Sequence, residues 1–469
     1  MRTTLLATAV AAALTLAAVD ASAAPGSAAT KAEIQAMQAQ MEALAARLSK
    51  LEAANTALQA ENSELKSVVE RRDAETDYLK AQTKDLREEG AVASNELSKL
   101  KGADWASRIK FKGDFRMRDE NIETQRVVVP TTGPKIPQLE DAADRNRARF
   151  RARFGFDATV TDTVKATFRL ASGDGDPRST NQTLTNIASA KDIWIDQAYT
   201  DWTFMNGGDL VLGKQPYPFF RPGQSLFYDG DFNPEGAAVK LDRGMFFGSA
   251  YWWWLQENFN ASPSGNNEDA NLWGLQGGMK FALLGGETKL AAMYYECGAC
   301  KENNPFWSGG SSYGNTTINQ GTTPVLKYGY EVLELSGEMG LTVFNMPLVV
   351  FADWAQNMAS DVEYDTAYNV GFLLNKASNA KTWEFGAMWQ EIDKDALFAQ
   401  MIDSDFGGGN TDTSGWVLKA GYAPVKNITL NATYFLNEIN KDVPPSTTPA
   451  NTFTGLDYNR WQLDVNYKF

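Results

Sequence analysis

The chain contains no histidine among its 469 residues. That absence removes Ser-His and Cys-His nucleophiles, imidazole acid–base chemistry and His-ligated metals together. Carboxylates are scattered through polar stretches and no pair of them forms a recognisable acid–base site, so no enzyme is expected. Cysteine is nearly absent too. Cys297 and Cys300 stand alone in a C-x-x-C spacing, which fits a small loop disulfide better than a zinc site, because two thiolates without histidine leave a tetrahedral shell incomplete. No thioredoxin-like βαβ pattern surrounds the pair to favour a redox role. Metal and cofactor are both expected to be none.

Long apolar runs are missing beyond the first two dozen residues, so no helix is expected to span a bilayer. Mean hydropathy is low at −0.36, although aromatics make up 12% of the chain. A net charge of −14 argues against nucleic acid as a partner. The N-terminus itself has the form of an export signal. Arg2 is followed by an apolar stretch from Leu5 to Ala18 and by Ala21-Ser22-Ala23, a small-residue cleavage pattern. Residues 1–23 are therefore expected to be removed, the run being short for a retained anchor.

Residues 31–89 carry a heptad repeat, and 24–104 are expected to form a coiled-coil segment. Ile34, Met41, Leu48, Asn55, Asn62, Val69, Thr76 and Thr83 lie on one seven-residue track, and Met37, Leu44, Leu51, Leu58, Leu65, Arg72, Leu79 and Leu86 on the other. Such unbroken register without proline favours a coiled coil over a helix folded on a globular neighbour. Asn55 and Asn62 would fix its register at some cost in stability. The repeat itself leaves dimer, trimer or higher order open.

From Trp105 the period changes to two. Arg145, Arg147, Arg149, Arg151 and Arg153 alternate with Ala148, Phe150, Ala152, Phe154 and Phe156, so a strand here has one guanidinium face and one apolar face. Neighbours on one face sit roughly 6.8 Å apart. Their repulsion is about 0.6 kcal/mol per pair in water but about 12 kcal/mol as an illustrative dry-interior limit. The face must be wet, either as the outside of a soluble sheet or as the lining of a water-filled barrel.

The remaining chain favours the barrel. Short turns at 161–163, 206–208, 243–244, 284–286, 341–345, 377–380 and 423–427 alternate with long polar stretches at 119–144, 173–191, 216–235, 256–270, 297–327, 358–364, 393–413 and 439–455. The runs between them number sixteen, an even count with loops sorted by length, as in an all-β transmembrane barrel over 105–469. Sixteen strands enclose an aqueous channel. The last strand alternates through Trp461, Leu463, Val465 and Tyr467 to a terminal Phe469, and must pair with the first, because open edges are not tolerated in hydrocarbon. The clusters Tyr251-Trp252-Trp253-Trp254 and Tyr294-Tyr295 are expected to stand in interfacial girdles.

Several motifs carry a resemblance. They are Phe111-Lys112-Gly113-Asp114-Phe115-Arg116, the arginine run 147–155, Thr180-Asn181-Gln182-Thr183-Leu184, Asp196-Gln197-Ala198-Tyr199, Gly213-Lys214-Gln215-Pro216, Asp229-Gly230-Asp231-Phe232-Asn233-Pro234-Glu235-Gly236 and the terminal Phe469. With these the chain resembles the putative porin family, whose members carry an N-terminal coiled coil before a 16-stranded trimeric outer-membrane β-barrel. The resemblance implies homotrimers in the bacterial outer membrane and passive diffusion of small hydrophilic solutes, and the coiled coil is expected on the periplasmic side because the chain enters the first strand there. It also implies that Phe469 is a sorting signal for barrel assembly.

The expected pore lining is basic. Lys110, Lys112, Arg116 and Arg118 on strand one flank the arginine strand, with Lys165 and Arg169 on strand three. The loop after strand five holds Arg221, Asp229, Asp231 and Glu235 and is expected to fold inward as a constriction. Its acids either merely pin it to the arginines or build with them a transverse field that selects by sign. The excess of bases predicts a preference for anions. A structural alternative makes the coiled coil a tether that reaches from the outer membrane to the cell wall.

Overall fold

The computed structural model describes residues 28–99, 104–133, 135–257, 269–307, 311–444 and 453–469. The export signal expected over 1–23 lies outside them. Two units divide the chain, Met1–Ala103 and Asp104–Phe469.

The first unit contributes one helix, α1, Ala28–Lys99. Alanine, leucine, glutamate, glutamine and lysine dominate it, all strong helix formers. Its heptad stripe is exposed among the described residues. Ile34, Leu44, Leu51, Leu65 and Leu79 are each more than half exposed.

The second unit is a closed antiparallel barrel of sixteen long strands. They are β1 Ile109–Val128, β2 Arg145–Thr159, β3 Val164–Ser172, β4 Ile193–Met205, β5 Gly208–Lys214, β6 Glu235–Arg243, β7 Phe246–Gln256 and β8 Ala270–Leu283. They continue as β9 Gly286–Cys297, β10 Tyr330–Val343, β11 Met346–Asn357, β12 Thr366–Asn375, β13 Thr382–Ile392, β14 Thr413–Val425, β15 Ile428–Ile439 and β16 Leu456–Lys468. Closure joins β16 to β1, from Asp114 opposite Lys468 to Thr124 opposite Tyr458. The backbone of Phe469 exchanges hydrogen bonds of 3.1 and 3.0 Å with Gly113. A Cβ at Gly113 would lie 2.6 Å from a ring carbon of Phe469, so the missing side chain makes room for the terminal ring.

Eight long connections, L1 to L8, leave one end of the barrel, and short turns close the other. L2 spans 173–192, L3 215–234, L5 298–329 and L7 393–412. Two short turns place both central residues at positive φ, Leu284-Gly285 and Phe344-Asn345, the primed hairpin geometry that matches strand twist.

Four sequence expectations are corrected. The segment expected as polar loop after Arg118 remains in β1 as far as Val128, because its inward polar groups find charged partners on β2 and β16. The turns expected at 341–345 and 423–427 tighten to Phe344-Asn345 and Lys426-Asn427. The aromatic clusters split by parity. Trp252, Trp254 and Tyr294 face outward, whereas Tyr251, Trp253 and Tyr295 are at most 5% exposed inside the barrel. The stretch 393–413, read as polar, holds an apolar run from Ala396 to Ile402 that is buried in the lumen.

Alternation places Phe111, Phe115, Phe150, Phe154, Phe156 and Phe168 on the outer wall, where Phe111 and Phe154 stack at 5.7 Å. The buried apolar core therefore lies within the barrel, on one side. Phe219, Phe227 and Tyr228 of L3 and Leu397, Phe398 and Met401 of L7 pack there against Tyr251, Trp253, Tyr295 and Tyr330.

Candidate functional site

Strands β16, β1, β2 and β3 form one continuous charged wall of the lumen. The register sets Arg116 opposite Arg151 and Arg118 opposite Arg149. Like charges face to face destabilise a sheet, and here carboxylates are threaded between them. Asp114 accepts from Arg151 Nη2 at 2.9 Å and from Arg153 Nε at 2.7 Å. Glu120, fully buried, accepts from Arg147 and from Arg460 at 2.5 Å, and lies 3.6 Å from Arg149. Arg118 grips Asp464 in a bidentate pair at 2.7 and 2.9 Å, the strong geometry for guanidinium and carboxylate. Arg169 pairs with Asp196, and Lys112 with Asp157 at 2.6 Å.

The ladder is thus compensated rather than bare. Eight guanidinium groups (Arg116, Arg118, Arg147, Arg149, Arg151, Arg153, Arg169 and Arg460) meet six carboxylates (Asp114, Glu120, Asp196, Asp231, Asp405 and Asp464). Arg116 has the poorest carboxylate partner, 4.0 Å from Asp464, and donates instead to Asn181 of L2 at 2.6 Å. The buried Nε groups of Arg116, Arg149 and Arg151 have no hydrogen-bond partner among the described residues.

Besides L2, two further loops reach this wall. From L3, Asp231 lies 3.1 Å from Arg153 and 3.6 Å from Arg151, and accepts from the Thr180 hydroxyl at 2.7 Å. Burial alone would push the Asp231 carboxyl up, but the charges of Arg151, Arg153 and Arg116 and the Thr180 hydroxyl pull it down to about 2. From L7, Asp405 sits between Arg118 at 2.9 Å and Arg460 at 2.8 Å. Burial opposes its ionisation as well, yet Arg460 and Arg118 hold it well below the usual carboxylate range. Asp229 points the other way, into the L3–L7 junction, where it accepts from the backbone N–H groups of Ser404 and Asp231. Burial, then the neighbouring Asp403 and Asp231, push it well above that range.

The far side of L3 meets strands β8 to β13, eight places around the barrel from the arginines and hence across it. Its backbone N–H groups at Phe220, Gly223 and Leu226 donate to Gln276, Glu338 and Gln390. That wall carries the acids Glu334, Glu338 and Asp353. The arginine wall thus carries more guanidinium than carboxylate groups, and the opposite wall carries these acids beside Lys289.

Of the residues singled out in the sequence, Arg116, Arg118, Arg147, Arg149, Arg151, Arg153 and Arg169 come together on the charged wall with Asp231. Lys110, Arg145 and Lys165 share its face but are exposed. Arg221 stays within L3, donating to the Tyr228 carbonyl at 2.9 Å over the Tyr217 ring. Glu235 is corrected: it opens β6 with its side chain 64% exposed and pairs with Lys214 at 3.0 Å, away from the arginines. Cys297 and Cys300 are disulfide-bonded at the start of L5. Sequence reasoning gave no role at the site to Asp114, Glu120, Asp196, Asp405, Asp464 or Arg460. Asp464 and Arg460 were legible as the polar parity of the last strand, and Glu120 as the continuation of the first.

A sequence profile for the family described as "Putative porin" matches residues 27–335 and 326–469. Similar solved structures include OprB of Pseudomonas putida at high pH, 11% identical over 78% of this chain and 96% of that one, with a TM-score of 0.47. OmpT, an outer membrane protein of Vibrio cholerae in its trimer form, is 14% identical over 77% and 99%, with a TM-score of 0.42. A triple mutant of the Rhodopseudomonas blastica porin is 10% identical over 77% and 100%, with a TM-score of 0.39. No curated protein matches the sequence. Since the profile runs from the start of the helix to the last strand, the chain belongs to the putative porin family of bacterial outer-membrane barrels.

Proposed function

We propose that the barrel is a passive channel that admits small hydrophilic solutes and prefers anions. The carrying observation is the arginine wall. Guanidiniums outnumber the carboxylates that reach them, eight to six, which leaves the wall an excess of positive charge. A passing carboxylate or similar anion is attracted by that excess, and charged walls select by sign. L3 and L7 supply the constriction by spanning from this wall to the aromatic one. The reading includes no catalytic step.

Reversal potentials in a salt gradient test it. The wild type should prefer anions, and Arg149→Ser with Arg151→Ser should move the potential toward cation preference. Cation preference in the wild type, or an unmoved potential in the double variant, would refute it.

The exposed heptad stripe of α1 supports assembly through copies of the same helix, and a trimer is the reading we adopt. The chain enters β1 at the short-turn end, which in the outer membrane is the periplasmic side. We therefore assign 24–104 to a periplasmic coiled coil, 105–469 to the porin domain and 1–23 to a removed export signal. A helix of 72 residues is about 110 Å long at 1.5 Å per residue. That reach supports the second reading, in which the coiled coil also tethers the barrel to the cell wall.

A further inference from the structure

Arg178 of L2 is 2% exposed, and its contacts join three loops. Its Nη1 donates to the backbone carbonyl of Ala399 at 3.2 Å and to that of Gly409 at 2.9 Å. Both carbonyls belong to L7, one before Asp405 and one after it. Ser404, the residue beside Asp405, donates its hydroxyl to the Arg178 carbonyl at 3.1 Å. On the L5 side, Arg178 Cζ stacks 3.6 Å from the ring centre of Tyr313 and lies 5.4 Å from that of Trp307. Asp176, two residues earlier in L2, pairs with Nη2 at 3.3 Å and accepts from the Arg178 backbone N–H at 2.9 Å. The side chain is therefore aimed by its own loop before it reaches the others.

The chemistry of the group matters here. A guanidinium presents its donors in a rigid planar fork, and its face can stack on an aromatic ring. Arg178 turns donors to L7 and a face to L5, which a compact ammonium cannot reproduce. Gly409 leaves space for the fork, because a Cβ there would lie 3.2 Å from both Nη1 and Nη2. Asp405 is the acid that L7 delivers to Arg118 and Arg460. Whatever fixes the course of residues 399–409 therefore fixes how much positive charge the closing seam leaves uncovered.

We propose that Arg178 is a positioning residue for ion selection, gripping L7 on both sides of Asp405 and so holding that carboxylate against Arg118 and Arg460. It acts through Asp405 and not through its own charge on the passing ion. Without its grip L7 is freed, Asp405 moves away, and two guanidiniums lose a counter-charge. The sign of the effect is its signature. Removing a cation that acts directly on the solute weakens anion preference, whereas removing this one strengthens it. The proposal rests on the channel reading for its electrical readout, while the docking of L7 is read without current.

The test uses the full-length protein, in planar bilayers for reversal potentials and in detergent for hydrogen exchange. Arg178→Met keeps the apolar stem and removes the fork, and Arg178→Lys keeps the charge. Both should shift the reversal potential toward stronger anion preference, as Asp405→Asn does, and neither should add to the shift in an Asp405→Asn background. Protection should fall by about tenfold or more at the Ser404 and Gly407 amides, which donate to Asp229 at 2.8 Å and to Asn437 at 3.1 Å. Tyr313→Leu, a milder variant that leaves the guanidinium and removes the ring beneath it, should move both readouts in the same direction. Weaker anion preference in Arg178→Met with no change in Arg178→Lys overturns the proposal, because Arg178 would then act by its own charge. Unchanged protection in Arg178→Met, or a shift in the Asp405→Asn background as large as in the wild type, overturns it as well. Arg149→Ser with Arg151→Ser reports the anion reading separately. If that reading fails, exchange at Ser404 and Gly407 still decides whether Arg178 holds L7.

Discussion

Asp405 of L7 accepts a 2.9 Å hydrogen bond from Arg118 of β1, a residue 287 positions earlier in the chain. Its other oxygen lies 2.8 Å from Arg460 on β16. One carboxylate thus spans the barrel's closing seam from above and fixes L7 over it. The seam is the pairing whose strands are furthest apart in sequence, so a loop that clamps it stabilises closure as well as shaping the lumen.

Removing that clamp should uncover positive charge. Asp405→Asn leaves Arg118 and Arg460 with one counter-charge fewer, and the cost in barrel stability is about 3 kcal/mol, as for loss of one partner of a buried pair. Reversal potentials should shift toward stronger anion preference, and thermal unfolding should begin at a lower temperature. Unchanged selectivity would show that the solute path does not pass these groups.

The contact of L3 with the arginines should be acid-sensitive. Asp231 is held at about 2 in the folded protein against 3.8 as its ordinary value. A depressed carboxylate contributes stability that is present above the ordinary value and lost as pH falls through the folded one. L3 should therefore stay docked at its arginine end down to about pH 4 and loosen progressively toward about pH 2. Asp231→Asn should show the loosened state at neutral pH, read by exchange at the Thr180 amide, which donates to Asp231 at 3.2 Å.

Closure should depend on the missing side chain of Gly113. Gly113→Val drives a methyl-bearing Cβ into the Phe469 ring, and overpacking of this kind costs about 1–3 kcal/mol. The folded barrel should lose its compact electrophoretic form at a lower temperature. Gly277→Val on β8, where no heavy atom lies within 4 Å of the added Cβ, should behave like wild type.

Deletion of residues 31–100 separates the two roles of the helix. Loss of trimers would assign it to assembly. Intact trimers and conductance with a weakened envelope would assign it to tethering. Leu44→Asp with Leu51→Asp, two apolar heptad positions exposed in the single chain, should reproduce the deletion in either case.

Much of the barrel was legible because a transmembrane strand writes its two environments into alternate residues. The strand count, the outward phenylalanines and the inward arginines all follow from that parity. Its limits appear where a segment leaves the pattern. Glu120 and its neighbours resemble a loop when taken alone, since every inward partner they have is on another strand. The apolar run Ala396–Ile402 sits in a connection, and only the lumen of the closed barrel gives it somewhere to be buried. Glu235 looks like its acidic neighbours Asp229 and Asp231, but it begins β6 with outward parity.

From its residue order alone the polypeptide is committed to a helix with an apolar stripe, sixteen strands of known facing and a cylinder that must close. Those are consequences of local periodicity and of the need to satisfy backbone polar groups in hydrocarbon. Which charges meet inside was decided by tertiary structure. Strand register and the inward course of L3 and L7 bring Asp405, Glu120 and Asp231 to the arginines and turn a bare ladder into a compensated wall. Electrostatic partnership depends on distances across the lumen, which no local pattern encodes.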